Sequence, residues 1–262
     1  MNENKIELDL FAEERKIKIL ELLRLNQKVS VNELAALFRV SRPTIRKYLC
    51  AMEQNGFLIR THGGAIQKSQ TGFELNTRQK SVVNLDEKCR IARVALNMIE
   101  NGDTIMLDTG TTTMELAKLL HNKKNIKVVT NDIEIARILE DIESCETILI
   151  GGIIRKGFHC TVGLQGIDMC SQLSIDKAFI ATNSFSCDKG ATTPDLLQAE
   201  IKKAMLSIAG KVILLCDSSK IGKSSFVRFA SVEQVHVLVT DNIDCNIMKK
   251  LEKNGLKVLV AE

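Results

Sequence analysis

The chain has 262 residues, 45% hydrophobic and 26% charged, with 2 prolines and no tryptophan. That is ordinary globular composition; it excludes collagen, coiled-coil rods and low-complexity disorder, and the length suits one or two domains. No apolar run approaches the ~18 residues of a membrane helix. The opening stretch from Met1 to Glu7 is polar, without an apolar segment ahead of a cleavage site, so neither a signal peptide nor a membrane partner is expected.

Eight cysteines are scattered without a C-x-x-C pair, and no histidine stands at zinc-finger spacing from them. They are expected to be reduced thiols of a cytoplasmic protein with no metal site and no cofactor, some of them core residues, as Cys216 in Val212-Ile213-Leu214-Leu215-Cys216. The formal charge of +4 is unevenly divided. Residues 15–68 hold eleven Lys and Arg against three Glu, a net +8, which leaves −4 for the rest. A basic segment on an otherwise acidic chain points to a polyanion partner; a solvated basic face is the plainer alternative.

In chain order, residues 1–12 read as a tail. Ile17, Ile19, Leu20, Leu22, Leu23 and Leu25 then recur at helical spacing and predict a helix over 13–25. After the polar break Asn26-Gln27-Lys28, Ser30-Val31-Asn32-Glu33 has the form of a capping box, opening a two-turn helix with Leu34, Leu37 and Phe38. Arg39-Val40 makes a brief turn. Ser41 caps a third helix with Pro43 in its first turn, Ile45, Leu49 and Met52 facing inward, and Asn55-Gly56 as its stop. Three helices with a tight turn between the last two form a helix-turn-helix. The third helix would enter a DNA major groove, with Arg42, Thr44, Arg46, Lys47 and Tyr48 on its outer face. Phe57–Arg60, the turn at Thr61-His62-Gly63-Gly64 and Ala65-Ile66 read as a wing. There Gly63-Gly64 supplies positive φ, and Arg60 and His62 lie near a phosphate backbone.

The pattern 13–68 resembles the DeoR family of bacterial transcriptional regulators. The resemblance rests on Arg15-x3-Ile19-x3-Leu23, on Ser41-Arg42-Pro43-Thr44-Ile45-Arg46-Lys47-Tyr48-Leu49, and on the wing from Gly56 to Ala65. Tyr48 departs from that family's usual Asp. The resemblance implies an operator-DNA interface that includes Ser30, Ser41, Arg42, Pro43, Thr44, Arg46, Lys47, Tyr48, Arg60, His62 and Gly63.

Residues 69–86 are polar and read as a linker, with Phe73 and Leu75 docking it. From 87 to 262 helix and strand alternate. Strands are predicted at 104–108, 126–131, 147–152, 177–181, 211–216 and 235–240, which indicates an α/β domain built on a mostly parallel sheet. Ligands of such sheets bind beyond the carboxyl ends of the strands. Thr109-Gly110-Thr111-Thr112-Thr113 joins a strand to a helix N-terminus and reads equally as a phosphate cradle or as simple capping. In Asp217-Ser218-Ser219-Lys220, the lysine offers a point charge and the aspartate an acceptor for a sugar hydroxyl. Gly151-Gly152 reads first as a tight turn.

In order and spacing these pieces, with Val129-Thr130-Asn131, Asp176–Ile180 and Gly190–Thr193, resemble the DeoR sensor domain, whose fold is like that of pentose-phosphate isomerases. The resemblance implies a homo-oligomer, dimer or larger, that represses a carbohydrate-use operon and is released by a phosphorylated sugar or sugar alcohol. It implies effector contacts at Asp108, Gly110, Thr111, Thr112, Thr113, Asn131, Gly152, Asp176, Asp217 and Lys220. The alternative is a sugar-phosphate isomerase with a DNA-binding segment, for which Asp176 and Glu200 are the acid–base candidates. Against it, Gly151-Gly152 runs into Ile153 rather than further glycine, and no glycine-rich lysine segment like the isomerases' is present. No residue separates repressor from activator. An RNA-binding role lacks an exposed aromatic platform.

Overall fold

The computed structural model describes residues 11–26, 28–54, 57–67 and 74–262. The tail up to residue 10, the Asn55-Gly56 stop and residues 68–73 lie outside the described residues. The chain divides into two compact units, one up to Phe73 and one from Glu74.

The first unit holds α1 (Ala12–Asn26), β1 (Lys28–Ser30), α2 (Val31–Leu37), α3 (Arg42–Gln54), β2 (Leu58–Thr61) and β3 (Gly64–Gln67). The capping box is present. Ser30 Oγ accepts the Glu33 amide at 3.1 Å, and Glu33 Oε2 accepts the Ser30 amide at 3.2 Å. Arg39 takes the left-handed conformation in the turn before α3. At the start of α3, Ser41 Oγ accepts the Thr44 amide at 3.3 Å. Ile17, Leu20 and Leu23 of α1, Leu34 of α2, Phe38 and Ile45, Leu49 and Met52 of α3 close one core. Apolar side chains repeated every three to four residues leave each helix one face for it.

The wing differs from expectation in two ways. It is a three-stranded antiparallel sheet in the order β1-β3-β2, with Val29 opposite Ala65 and Ser30 opposite Gly64. A strand of three residues shows too little alternation to be read ahead of time. Neither Gly63 nor Gly64 is among the positive-φ glycines. Gly64 is needed instead for close approach, since a Cβ there would stand 1.9 Å from the Val29 carbonyl oxygen.

The second unit begins earlier than predicted. Of the stretch read as linker, residues 74–86 are part of its fold. They form α4 (Thr77–Ser81), capped by Asn76, and the start of α5 (Leu85–Leu96), and Leu75 is buried. Then follow β4 (Thr104–Leu107), α6 (Thr111–Lys118), β5 (Ile126–Thr130), α7 (Ile133–Glu140), β6 (Cys145–Leu149), the hairpin β7 (Ile153–Arg155) and β8 (Cys160–Val162), and α8 (Leu164–Cys170). The remainder is β9 (Ile175–Ala181), β10 (Ser184–Ser186), β11 (Gly190–Thr193), α9 (Leu196–Ser207), β12 (Ala209–Leu215), β13 (Val227–Ala230), β14 (Val237–Thr240), α10 (Cys245–Lys253) and β15 (Lys257–Val260).

Seven strands form one parallel sheet in the order β15-β14-β12-β9-β4-β5-β6. Alternation along the strands fills both faces. Ile105, Leu107, Val128, Phe179, Ile213 and Val239 pack with α5, α6 and α7. Met106, Val129, Ile180, Leu214 and Leu238 pack with α8, α9, α10 and the small antiparallel sheet β10-β11-β13. From β4 the chain winds outward through β5 and β6, then returns beside β4 as β9 and winds the other way. The order therefore reverses between β4 and β9, the place where the carboxyl ends of an open sheet part into a crevice. No helix among the described residues is long and apolar enough to cross a membrane.

The two wing glycines make a paired test of the fold. Gly64→Ala is expected to destabilise the first unit by about 1–3 kcal/mol, because backbone must move to admit the methyl group. Gly63→Ala, with nothing within 4 Å of its Cβ position, is expected to stay within about 0.5 kcal/mol of the parent. Calorimetric melting of the two variants measures this, and equal effects would refute the assigned β1–β3 contact.

Candidate functional site

On α3, Arg42, Pro43, Arg46 and Lys47 are exposed, and Thr44 is half-buried with its hydroxyl 2.8 Å from that of Ser41. His62 and Gly63 are exposed at the wing turn. This surface brings three cations onto one short helix, where they can neutralise phosphates or reach guanine edges in a groove. Three of the sequence candidates are engaged elsewhere. Tyr48 is half-buried, its hydroxyl accepting the Arg15 guanidinium of α1 at 3.4 Å. Ser30 is occupied as the cap of α2. Arg60 donates its backbone amide to Glu53 at 2.9 Å, and its exposed guanidinium stands 3.7 Å from the same carboxylate.

In the second unit, the crevice between the ends of β4 and β9 is lined by Thr109, Gly110, Thr111 and Thr112 after β4 and by Ala181, Thr182 and Asn183 after β9. Lys80, Lys202 and Lys220 complete it. A Cβ on Gly110 would lie 2.6 Å from the Ala181 Cβ, so glycine is required for these two ends to meet. The helix α6 starts at Thr111, earlier than predicted, so the threonines form its first turn. The first-turn amides of a helix have no acceptor within it, and its dipole favours an anion there.

Each crevice lysine arrives with a carboxylate. Lys202, fully buried on α9, pairs with Asp108 and donates to the Ala181 carbonyl at 2.9 Å. Asp108, also fully buried, accepts the Ala181 amide at 2.9 Å, and its Oδ1 has no partner among the described residues. Burial pushes the Asp108 carboxyl above the usual carboxylate range, against the pull of Lys202. Lys220 pairs with Asp217 at 2.9 Å. Burial raises the Asp217 carboxyl, but Lys220 and hydrogen bonds from Ser219 and Asn84 outweigh it and hold the group well below that range. Lys80 pairs with Glu74, which also takes Arg155 and Asn183, each at 2.8 Å. Burial opposes ionisation of Glu74; Lys80 and Arg155 overcome it and bring the carboxyl to about 2. Burial lowers the Lys80 ammonium in turn.

The structure thus gathers Gly110, Thr111, Thr112 and Lys220 and places the other candidates apart. Thr113 is fully buried, donating to the Gly110 carbonyl at 2.8 Å. Asn131 is a buried brace, accepting the Thr109 amide at 3.2 Å and donating to the Thr161 carbonyl at 2.9 Å. Gly152, at φ +145°, serves a tight turn against Val162. Asp108 and Asp217 are paired with Lys202 and Lys220. Asp176 is a correction. It stands at the amino end of β9, the opposite end of the sheet, where it accepts the Thr104 amide at 2.8 Å. The sequence reading missed Lys202, Lys80, Glu74, Asn183 and Arg155. For Lys202 a signal existed, since it lies on the buried stripe of α9 with Gln198, Ala199, Met205 and Leu206. For Glu74 and Lys80 there was none, because a polar segment of this kind looks the same whether solvated or folded against a site.

Two family models match the chain, the DeoR-like helix-turn-helix domain over residues 15–71 and the DeoR C terminal sensor domain over residues 83–242. Similar proteins include the HTH-type transcriptional repressor GlcR of Bacillus subtilis, 34% identical, covering 97% of this chain and 98% of the relative. Another is the HTH-type transcriptional regulator GolR of Listeria innocua, 33% identical, covering 97% of this chain and all of the relative. A third is the putative aga operon transcriptional repressor of Escherichia coli O157:H7, 29% identical over 95% of this chain and 93% of its own length. Among solved structures, a ribose 5-phosphate isomerase A from Methanocaldococcus jannaschii aligns over 53% of this chain and 55% of that one, at 16% identity and a TM-score of 0.39. The full-length relatives are named as regulators of transcription, not as enzymes. By both of its units, this chain belongs to the DeoR family of DNA-binding transcriptional regulators.

Proposed function

We propose that the protein is a repressor of a carbohydrate-use operon, released from its operator when a phosphorylated sugar or sugar alcohol occupies the β4–β9 crevice. The observation that carries this reading is the convergence of Lys80, Lys202 and Lys220 on the first turn of α6. A phosphoryl group offers several charged acceptors to such a set, and the hydroxyls of Thr111 and Thr112 with the amide of Asn183 suit a polyol. Relatives named as repressors support the direction of control. A helix-turn-helix reads paired half-sites as a dimer or larger oligomer, which makes the working unit a homo-oligomer. Release requires the ligand to prefer the DNA-incompetent arrangement by a few kcal/mol.

A thermal-shift screen of sugar phosphates identifies the ligand, since one that prefers the native state raises its stability. Arg46→Ala is expected to weaken operator binding by about 1–3 kcal/mol with relaxed selectivity if it reads a base. If it contacts phosphate alone, binding falls on all sequences and the salt slope flattens by about one unit. Affinity unchanged at every salt concentration would remove Arg46 from the interface.

Lys220→Ala tests the crevice. It is expected to leave operator affinity intact, because α3 lies in the other unit, and to lose release by the ligand, through a charge-assisted contact of about 1.5–3 kcal/mol. Thr111→Val acts the same way more weakly. Operator titrations with and without the ligand measure both; wild-type release by Lys220→Ala would overturn the site.

A further inference from the structure

Lys80 of the crevice wall belongs to the segment from Glu74 to Lys88, which in sequence directly follows the DNA-binding unit ending at Phe73. Its two ends are held differently. At the far end, Lys88 donates to the carbonyls of Lys80 and Val83. Asn84, in the left-handed conformation, donates to Asp217 at 3.0 Å and to Ser219 at 3.2 Å. The Lys88 bonds brace the segment internally at the start of α5, and those of Asn84 anchor it to the body of the sensor. At the near end, Thr77 donates its amide to the Gly157 carbonyl at 3.1 Å, Leu75 is buried, and the Glu74 carboxylate is tied to Lys80, Arg155 and Asn183. Of these, Lys80 and Asn183 also line the crevice.

A carboxylate and a ligand anion therefore share a cation and an amide in a poorly solvated place. Their mutual repulsion is little screened there, so each weakens the other's hold. We propose that Glu74 is the responsive clasp of the sensor: an anion in the crevice takes Lys80 and Asn183 from Glu74, which leaves residues 74–77 held by Arg155, the Thr77 amide and Leu75 alone and lets them open more often, while Lys80 onward stays anchored. This rests on the reading that the crevice takes an anionic ligand. Four freed residues add up to about 13 Å of tether between the sensor and the DNA-binding unit. A longer tether lowers the effective concentration at which a second recognition helix meets its half-site once the first is bound. The ligand then works by loosening a connection, not by touching the DNA-binding unit.

The test uses the full chain with inorganic phosphate against chloride at equal ionic strength, read by amide hydrogen exchange and by titration. Phosphate is expected to slow exchange at Thr109–Thr113 and to speed it at Thr77, while the amides of residues 82–88 do not speed up. Glu74→Gln is expected to bind phosphate about fivefold more tightly or better. In that variant Thr77 exchanges fast without ligand, and operator affinity is already reduced. Lys220→Ala serves as the control on the crevice itself. If phosphate protects Thr109–Thr113 and Lys220→Ala weakens that binding, yet Thr77 exchange does not rise and Glu74→Gln binds phosphate like the parent, the clasp is wrong and the crevice stands. If phosphate leaves Thr109–Thr113 unchanged, the crevice reading falls and the clasp with it. The exchange measurement on the parent protein decides the matter even if the variant folds poorly.

Discussion

The sensor is organised by one buried ion pair, Lys202 with Asp108. Asp108 directly follows β4 and accepts the Ala181 amide, while Lys202 reaches across from α9 to the same carboxylate and to the Ala181 carbonyl. Both backbone groups of the residue that ends β9 are thus held by side chains from two other elements. That is where the sheet order reverses and the parallel ladder no longer dictates how the strand ends sit. Burying such a pair is costly in itself, and losing one partner leaves an uncompensated charge worth about 3–5 kcal/mol. Its structural return is position, since it sets the width of the crevice.

Gly110 and α6 depend on that width. Ala181 sits where a Cβ on Gly110 would collide, so the first turn of α6 lies directly against the end of β9. Around it the cations come neutralised, Lys202 by Asp108, Lys220 by Asp217 and Lys80 by Glu74. Such a crevice is not simply an electropositive hole. The pairing holds the lysines in place, and an incoming anion must compete with carboxylates carried on different elements. Asp108 and Asp217 sit at strand ends in the body of the sheet, and Glu74 sits on a segment outside it.

The DNA-binding unit follows from simpler rules. Its core is closed by residues at helical spacing, its turns by Ser30 and Ser41, and its wing by the close approach at Gly64. The excess positive charge of the chain resides there, which suits a partner whose phosphates bind through long-range attraction. Tyr48 is turned to Arg15 of α1, so the tyrosine found in place of the family's usual acid helps hold two helices together.

Much of this was legible in the sequence. The capping box, the helical periods and the alternation of helix and strand are local signals, set by interactions within a few residues, and they located the helix-turn-helix, the central strands and the Thr109–Thr112 loop. Lys220 was legible because it directly follows a strand end. Local pattern could not supply the long-range pairings. Lys202 meets Asp108 from 94 positions away, and Asp176, which already precedes its predicted strand, falls at the end of the sheet opposite the crevice. Lys80, Glu74 and Arg155 belong to the site only because a polar stretch folds back onto the crevice, and polarity alone does not distinguish a solvated linker from a buried ionic clasp. By itself the sequence determined which elements form and which carry charge. Only the tertiary structure decided which charges meet, because that depends on where the sheet reverses its order.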